Sequence, residues 1–174
     1  MLKRIIAIIL VSACLAVCFT GCSRNGLPLE ESDAGEIREL LQTALEDLAR
    51  SEARRVNNWN NYGSGEGLKP EDFHFDEIVF MPTGYLYNDH VILPFTCQLS
   101  IESELAYEDN MKELYIFLSL GGVTRRGGVI HAENVYINVP GMGTGSYTAY
   151  LEEIEKYENG KDTEVISIPF GKVS

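Results

Sequence analysis

Lys112-Glu113-Leu114-Tyr115-Ile116-Phe117-Leu118-Ser119-Leu120 decides the architecture of this chain. Leu114, Ile116, Leu118 and Leu120 fall on one face of an extended segment, Tyr115 and Phe117 on the other. A strand that is apolar on both sides must be covered on both sides, so it belongs inside a sheet. Working outward, residues 74–81, 85–101 and 129–139 also alternate and are rich in β-branched and aromatic side chains, which predicts strands. The connections, at 82–84, 104–110 and 121–128, are short. Short connections favour an antiparallel meander, because parallel neighbours need a crossover of a dozen or more residues.

Ahead of the strands, Asp33 predicts a helix start, with Glu36 three residues on in capping-box spacing. Ile37, Leu40, Leu41, Ala44, Leu45 and Leu48 recur at helical spacing, and Ala49, Ala53 and Val56 continue the stripe. Arg50, Arg54 and Arg55 suit the C-terminal half, where cations complement the helix dipole. The run NNWNNYGSGEG at 57–67 is dense in turn-forming residues and predicts the helix end near 57. After Pro140, a glycine cluster at 141–145 leads to Tyr147, Tyr150, Leu151, Ile154 and Tyr157, an amphipathic helical pattern closed by Asn159-Gly160. A last strand is predicted at 163–170. The fold class is α+β: an N-terminal helix packed on a curved antiparallel sheet, with a C-terminal helix and strand. Reading Tyr147, Ala149 and Leu151 as a strand gives the alternative, a seven-stranded immunoglobulin-like β-sandwich preceded by a helix.

That element order, over residues 33–139, is similar to the cystatin and NTF2-like rolls. The resemblance implies a pocket between helix and sheet, and fold alone assigns no function.

The first residues carry a different signal. Lys3 and Arg4 precede an apolar run of about 15 residues, 5–19, in the order of an export signal. The run is shorter than the roughly 20 apolar residues a membrane-crossing helix needs. Phe19-Thr20-Gly21-Cys22 resembles the lipobox of bacterial lipoproteins. That resemblance implies cleavage before Cys22, a lipidated Cys22 as the mature N-terminus, and attachment to a membrane of the cell envelope facing outside the cytoplasm. The expected division is a signal at 1–21, lipidated cysteine and tether at 22–32, and one globular domain at 33–174. Cys14 and Cys18 then leave with the signal and Cys22 is consumed, so Cys97 is the last thiol and no internal disulfide forms. It shares a strand face with Leu93, Phe95, Leu99 and Ile101, which reads as a core thiol without an electropositive setting.

Loss of Lys3 and Arg4, the only charged residues of the signal, moves the formal charge from −12 to −14. Such an acidic surface excludes nucleic acid as a partner. Membrane contact is expected through lipid on Cys22 alone, and the remaining partner is an envelope protein or a small ligand.

Candidate binding residues are few. Trp59, the one tryptophan, and Tyr62 stand among amides in the 57–67 loop. They read either as a recognition surface or as rings folded back over the helix end. Arg125 and Arg126, set among glycines, predict an exposed basic hairpin tip able to hold a carboxylate or phosphate. The glycines at 141–145 lack the lysine of a phosphate-binding loop and the spacing of a dinucleotide fingerprint. His74 with Asp76, and His131 with Glu133, are isolated pairs with no third metal ligand, and His90 has no partner of that kind. Glu102, Glu104, Glu108 and Asp109 lack calcium-loop spacing, and neither Ser64 nor Ser146 sits in a nucleophile elbow. No catalytic residue, metal ligand or cofactor is therefore assigned. The leading expectation is a non-catalytic binding lipoprotein. The alternatives are a hydrolase-like pocket enzyme using His74 and Asp76, and a structural or inhibitory module for a basic partner.

Overall fold

The computed structural model describes residues 29–63, 66–105, 112–140 and 146–172. The expected signal, Cys22, most of the tether, Ser64, Glu108, Asp109 and the glycine cluster at 141–145 lie outside the described residues. A 3-10 turn at Glu31–Asp33 leads into α1 (Ala34–Asn60), and a second at Pro70–Asp72 leads into β1 (Phe73–Phe80). There follow β2 (Thr83–Tyr87), β3 (His90–Ile101), β4 (Lys112–Gly121), β5 (Thr124–Arg126), β6 (Val129–His131), β7 (Asn134–Asn138), α2 (Ser146–Glu158) and β8 (Thr163–Ser167). The fold is α+β. Residues 146–158 are helical, which removes the sandwich alternative: Tyr150, Ile154 and Tyr157 meet on one helix face, whereas a strand would put Tyr150 and Ile154 on one side and Tyr157 on the other.

The main sheet has the order β7-β4-β3-β2-β8, with every pairing antiparallel and β4 in the interior. β3 is long enough to pair two strands in succession along one edge, β1 with residues 95–101 and β2 with residues 90–92. Pro94 explains where they part. Its carbonyl accepts the Met81 N–H at 2.9 Å, so its nitrogen faces the same side, and that nitrogen has no proton to offer. The ladder therefore breaks opposite it, at Met81-Pro82.

Two turns divide segments expected to be single strands. Asn88 and Asp89 both take positive φ, 48° and 61°, forming a two-residue hairpin turn between β2 and β3 within the expected strand 85–101. Residues 132–133 separate β6 from β7, and the expected connection 121–128 contains β5, which pairs with β6 across Gly127 and Gly128 at φ 62° and 88°.

One face of the sheet presents Val91, Leu93, Phe95, Cys97, Leu99, Leu114, Ile116, Leu118 and Leu120 to the buried Ile37, Leu41, Ala44 and Leu45 of α1. The other presents Tyr85, Ile92 and Phe117 to Tyr150 and Tyr157 of α2. Burying each large side chain contributes about 1.5–3 kcal/mol, and the split of Leu/Ile to one face and rings to the other is what the β4 alternation encodes. Where α2 does not reach, the second face is polar, with Thr96, Gln98, Ser100 and Glu113.

Candidate functional site

Asp33 occupies the N-cap position of α1 without capping it through its side chain, contrary to the expected box with Glu36. Its carboxylate instead accepts the Glu30 N–H at 2.8 Å and two hydrogen bonds from the Arg125 guanidinium, each at 2.7 Å. Asp33 is 1 % exposed. Burial pushes its carboxyl pKa up, yet the Arg125 hydrogen bonds, the Glu30 amide and the Arg125 charge together hold it below the ordinary value. Arg125 also donates to the Gly128 carbonyl at 3.0 Å. The hairpin tip at residues 126–129 is exposed as expected, but Arg125 is folded against the start of α1, and the carboxylate it holds is the chain's own. Arg126 remains exposed.

At the far end, α1 continues three residues past the predicted stop. Asn61, at φ 54°, gives its N–H to the carbonyls of the last turn, and the Tyr62 N–H reaches Asn57 O at 3.1 Å. The Asn57 side chain then acts like a piece of backbone: Nδ2 donates to Leu68 O and Oδ1 accepts from Leu68 N, both at 2.8 Å. Gly67 makes room, since a Cβ there would lie 2.2 Å from Asn57 Oδ1. This clasp ties both ends of the connection to the buried Leu68. Above it Trp59 projects into solvent at 84 % exposure, so it does not fold back over the helix end, while Tyr62 sits at the margin of exposure, 36 %.

Of the remaining candidates, His74 and Asp76 come together along one groove. His74 Nε2 meets Glu102 Oε2 at 3.7 Å rather than Asp76. His90 Nδ1 lies 2.9 Å from Asn88 O in the hairpin turn. His131 and Glu133 are exposed, with Glu133 packed over Gly122, where a Cβ would come within 2.8 Å of its carboxylate. Among the described residues no group of three His, Cys, Asp or Glu side chains is placed to hold a metal. Cys97 is 1 % exposed, and burial, with the Asp76 charge adding to it, pushes its thiol up to about 12, which suits packing and not nucleophilic attack.

That groove lies between α1 and β1, where the roll-like element order implied a pocket between helix and sheet. The backbone of α1 comes nearest to β6, β7 and the Pro70–Asp72 turn, and the groove has a volume of about 710 Å³. Leu41, Leu45 and Ala49 form one wall, Phe73, Phe75 and Ile78 the other. The alternation Phe73, Phe75 was its only local sign.

No protein-family model matches the chain, and neither the curated proteins nor the solved structures give a match.

Proposed function

We propose that this chain is an exported bacterial lipoprotein, held outside the cytoplasm by lipid on Cys22, whose domain binds a partner without catalysis. The anchoring half of this reading rests on Lys3, Arg4, the apolar run 5–19 and Phe19-Thr20-Gly21-Cys22. Among the described residues no helix is long and apolar enough to cross a membrane. The binding half is carried by Trp59, a tryptophan 84 % exposed on a clasped platform. Tryptophan is the residue type most often found carrying binding energy when a surface becomes an interface. Geometry supports its display: the tether enters at the start of α1, and 27 residues at about 1.5 Å each carry Trp59 roughly 40 Å from that point.

Two experiments test the halves separately. Metabolic labelling with a clickable fatty acid is expected to mark the wild-type protein and to leave Cys22→Ala unlabelled and released from membranes; label retained in Cys22→Ala removes the anchor assignment. For the binding half, the wild-type and Trp59→Ala proteins are isolated from native membranes in mild detergent. A stoichiometric partner of the wild type is expected to bind Trp59→Ala about 30-fold or more weakly, the loss of a hot spot worth at least ~2 kcal/mol. The melting temperature stays unchanged, because surface substitutions shift stability by no more than about 0.5 kcal/mol. Equal retention by both proteins takes the binding role away from this loop.

A further inference from the structure

The two edges of β1 are unlike. One pairs with β3 from Phe73↔Ile101 to Phe80↔Phe95. The other is met only at its far end, where Phe80 N–H donates to Gly171 O at 3.1 Å and Val79 bridges Lys172. Among the described residues no strand pairs with that second edge between residues 73 and 78. The groove under α1 runs along this same open edge, so unpaired main-chain donors and acceptors stand beside an apolar trench.

We propose that the groove receives an extended, basic and apolar polypeptide segment of a partner protein, which adds as a strand to the open edge of β1. Main-chain groups of the segment complete the ladder, and alternate side chains enter the trench between Leu41, Leu45 and Phe75. The chemistry of the occupant follows from the lip. Glu46, Glu71, Asp76 and Glu77 border the groove together with Arg38, Arg50 and His74, and Arg50 is already held by Asp47, so acids outnumber bases along the lip. Basic side chains on the outward positions of the segment therefore meet an acidic border. A second copy of this chain is disfavoured by the same charges, because joining two such edges brings two acidic borders together on a chain of net charge −12. The bulge between Asp76 and Val79, with Glu77 at φ 51°, limits the regular edge to residues 73–76, so recognition covers a short segment.

The test uses the full chain in detergent micelles and a blocked octapeptide of alternating lysine and valine. Hydrogen exchange is followed by mass spectrometry with and without peptide. The expected result is slowed exchange confined to residues 73–78, weakening with salt. Methylating alternate peptide nitrogens is expected to lower affinity by roughly tenfold or more, the loss of one or two main-chain hydrogen bonds. Gln42→Trp, which fills the groove from an exposed position on α1, is expected to abolish protection at an unchanged melting temperature. Any of four results overturns the proposal: no protection at millimolar peptide, protection elsewhere on the domain, equal binding of a glutamate-valine octapeptide, or the amides of residues 73–78 that face away from β3 already protected in the free chain by its own segment or a second copy. None of these readouts depends on Trp59 or on lipidation.

Discussion

Asp33→Ala is expected to lower folding stability by about 3 kcal/mol, because it removes two charge-assisted hydrogen bonds from Arg125 and the acceptor of the Glu30 N–H. For a domain of this size that corresponds to a fall in melting temperature of roughly 10 °C. The side chain is 1 % exposed and joins three segments that are remote in sequence or distinct in structure: the Glu30 turn, the start of α1 and the β5–β6 hairpin. The same pair makes a pH prediction. The folded carboxyl titrates below its ordinary value, so its contribution is fully present above about pH 4 and is lost as pH falls through the folded pKa. Asp33→Asn lacks this titration, and the gap between its melting temperature and that of the wild type is expected to close on acidification. Arg125→Ala follows the same pH direction for a different reason. With the guanidinium gone, burial acts on Asp33 with less to oppose it, so destabilisation is greatest near neutrality and relieved in acid. A gap between wild type and Asp33→Asn that is constant from neutral pH to strong acid would show that the pair carries no net stability.

Asp33 also marks where sequence reading stops. Its place at a helix start was legible from the capping pattern, and Arg125 was legible as a residue set apart by glycines. Their pairing, across 92 positions, was not, because local periodicity carries no information on which distant segments meet. The same boundary runs through the sheet. The alternation in β4 predicted an interior strand because each of its faces repeats a distinct side-chain class. The Asn88-Asp89 turn was hidden, since the apolar run from Tyr85 to Ile101 masks two polar residues whose left-handed backbone makes the hairpin. Trp59 was a visible candidate, but the Asn57–Leu68 clasp beside it was not, because an asparagine-rich stretch does not assign such a contact to one asparagine among four. The groove at β1 lies where the roll-like element order implied a pocket, but its lining is a consequence of packing between layers and of no motif.

Phe117→Ala is the substitution expected to separate the two layers of the core. Phe117 is 1 % exposed, stacks on Tyr150 with ring centroids 5.0 Å apart and meets Tyr157 edge-on at 5.7 Å. Truncating a buried phenylalanine costs about 3–5 kcal/mol, from the lost transfer term and the cavity left behind. Leu118, fully buried on the opposite face, gives a comparison of similar kind: Leu118→Ala is expected to cost about 2–5 kcal/mol while leaving the tyrosine layer in place. What distinguishes them is the state of α2. Among the described residues its attachment includes Tyr147, Tyr150, Ile154 and Tyr157 against Tyr85, Tyr87, Tyr115 and Phe117, and the Tyr85 hydroxyl donating to Glu158 at 3.3 Å. Burial pushes the Tyr150 phenol up to about 12 and the Tyr157 phenol further, which withholds the phenolate that nitrating reagents attack. In the wild type, mild nitration near neutral pH is expected to mark the exposed Tyr136 and Tyr147 and to spare Tyr150 and Tyr157. In Phe117→Ala the last two become reactive, and proteolysis opens residues 146–158. In Leu118→Ala, compared where each variant is still folded, they stay protected. Equal tyrosine reactivity in the two variants would mean that α2 is held by something other than this cluster of rings, and that the sheet and its second helix melt as one unit.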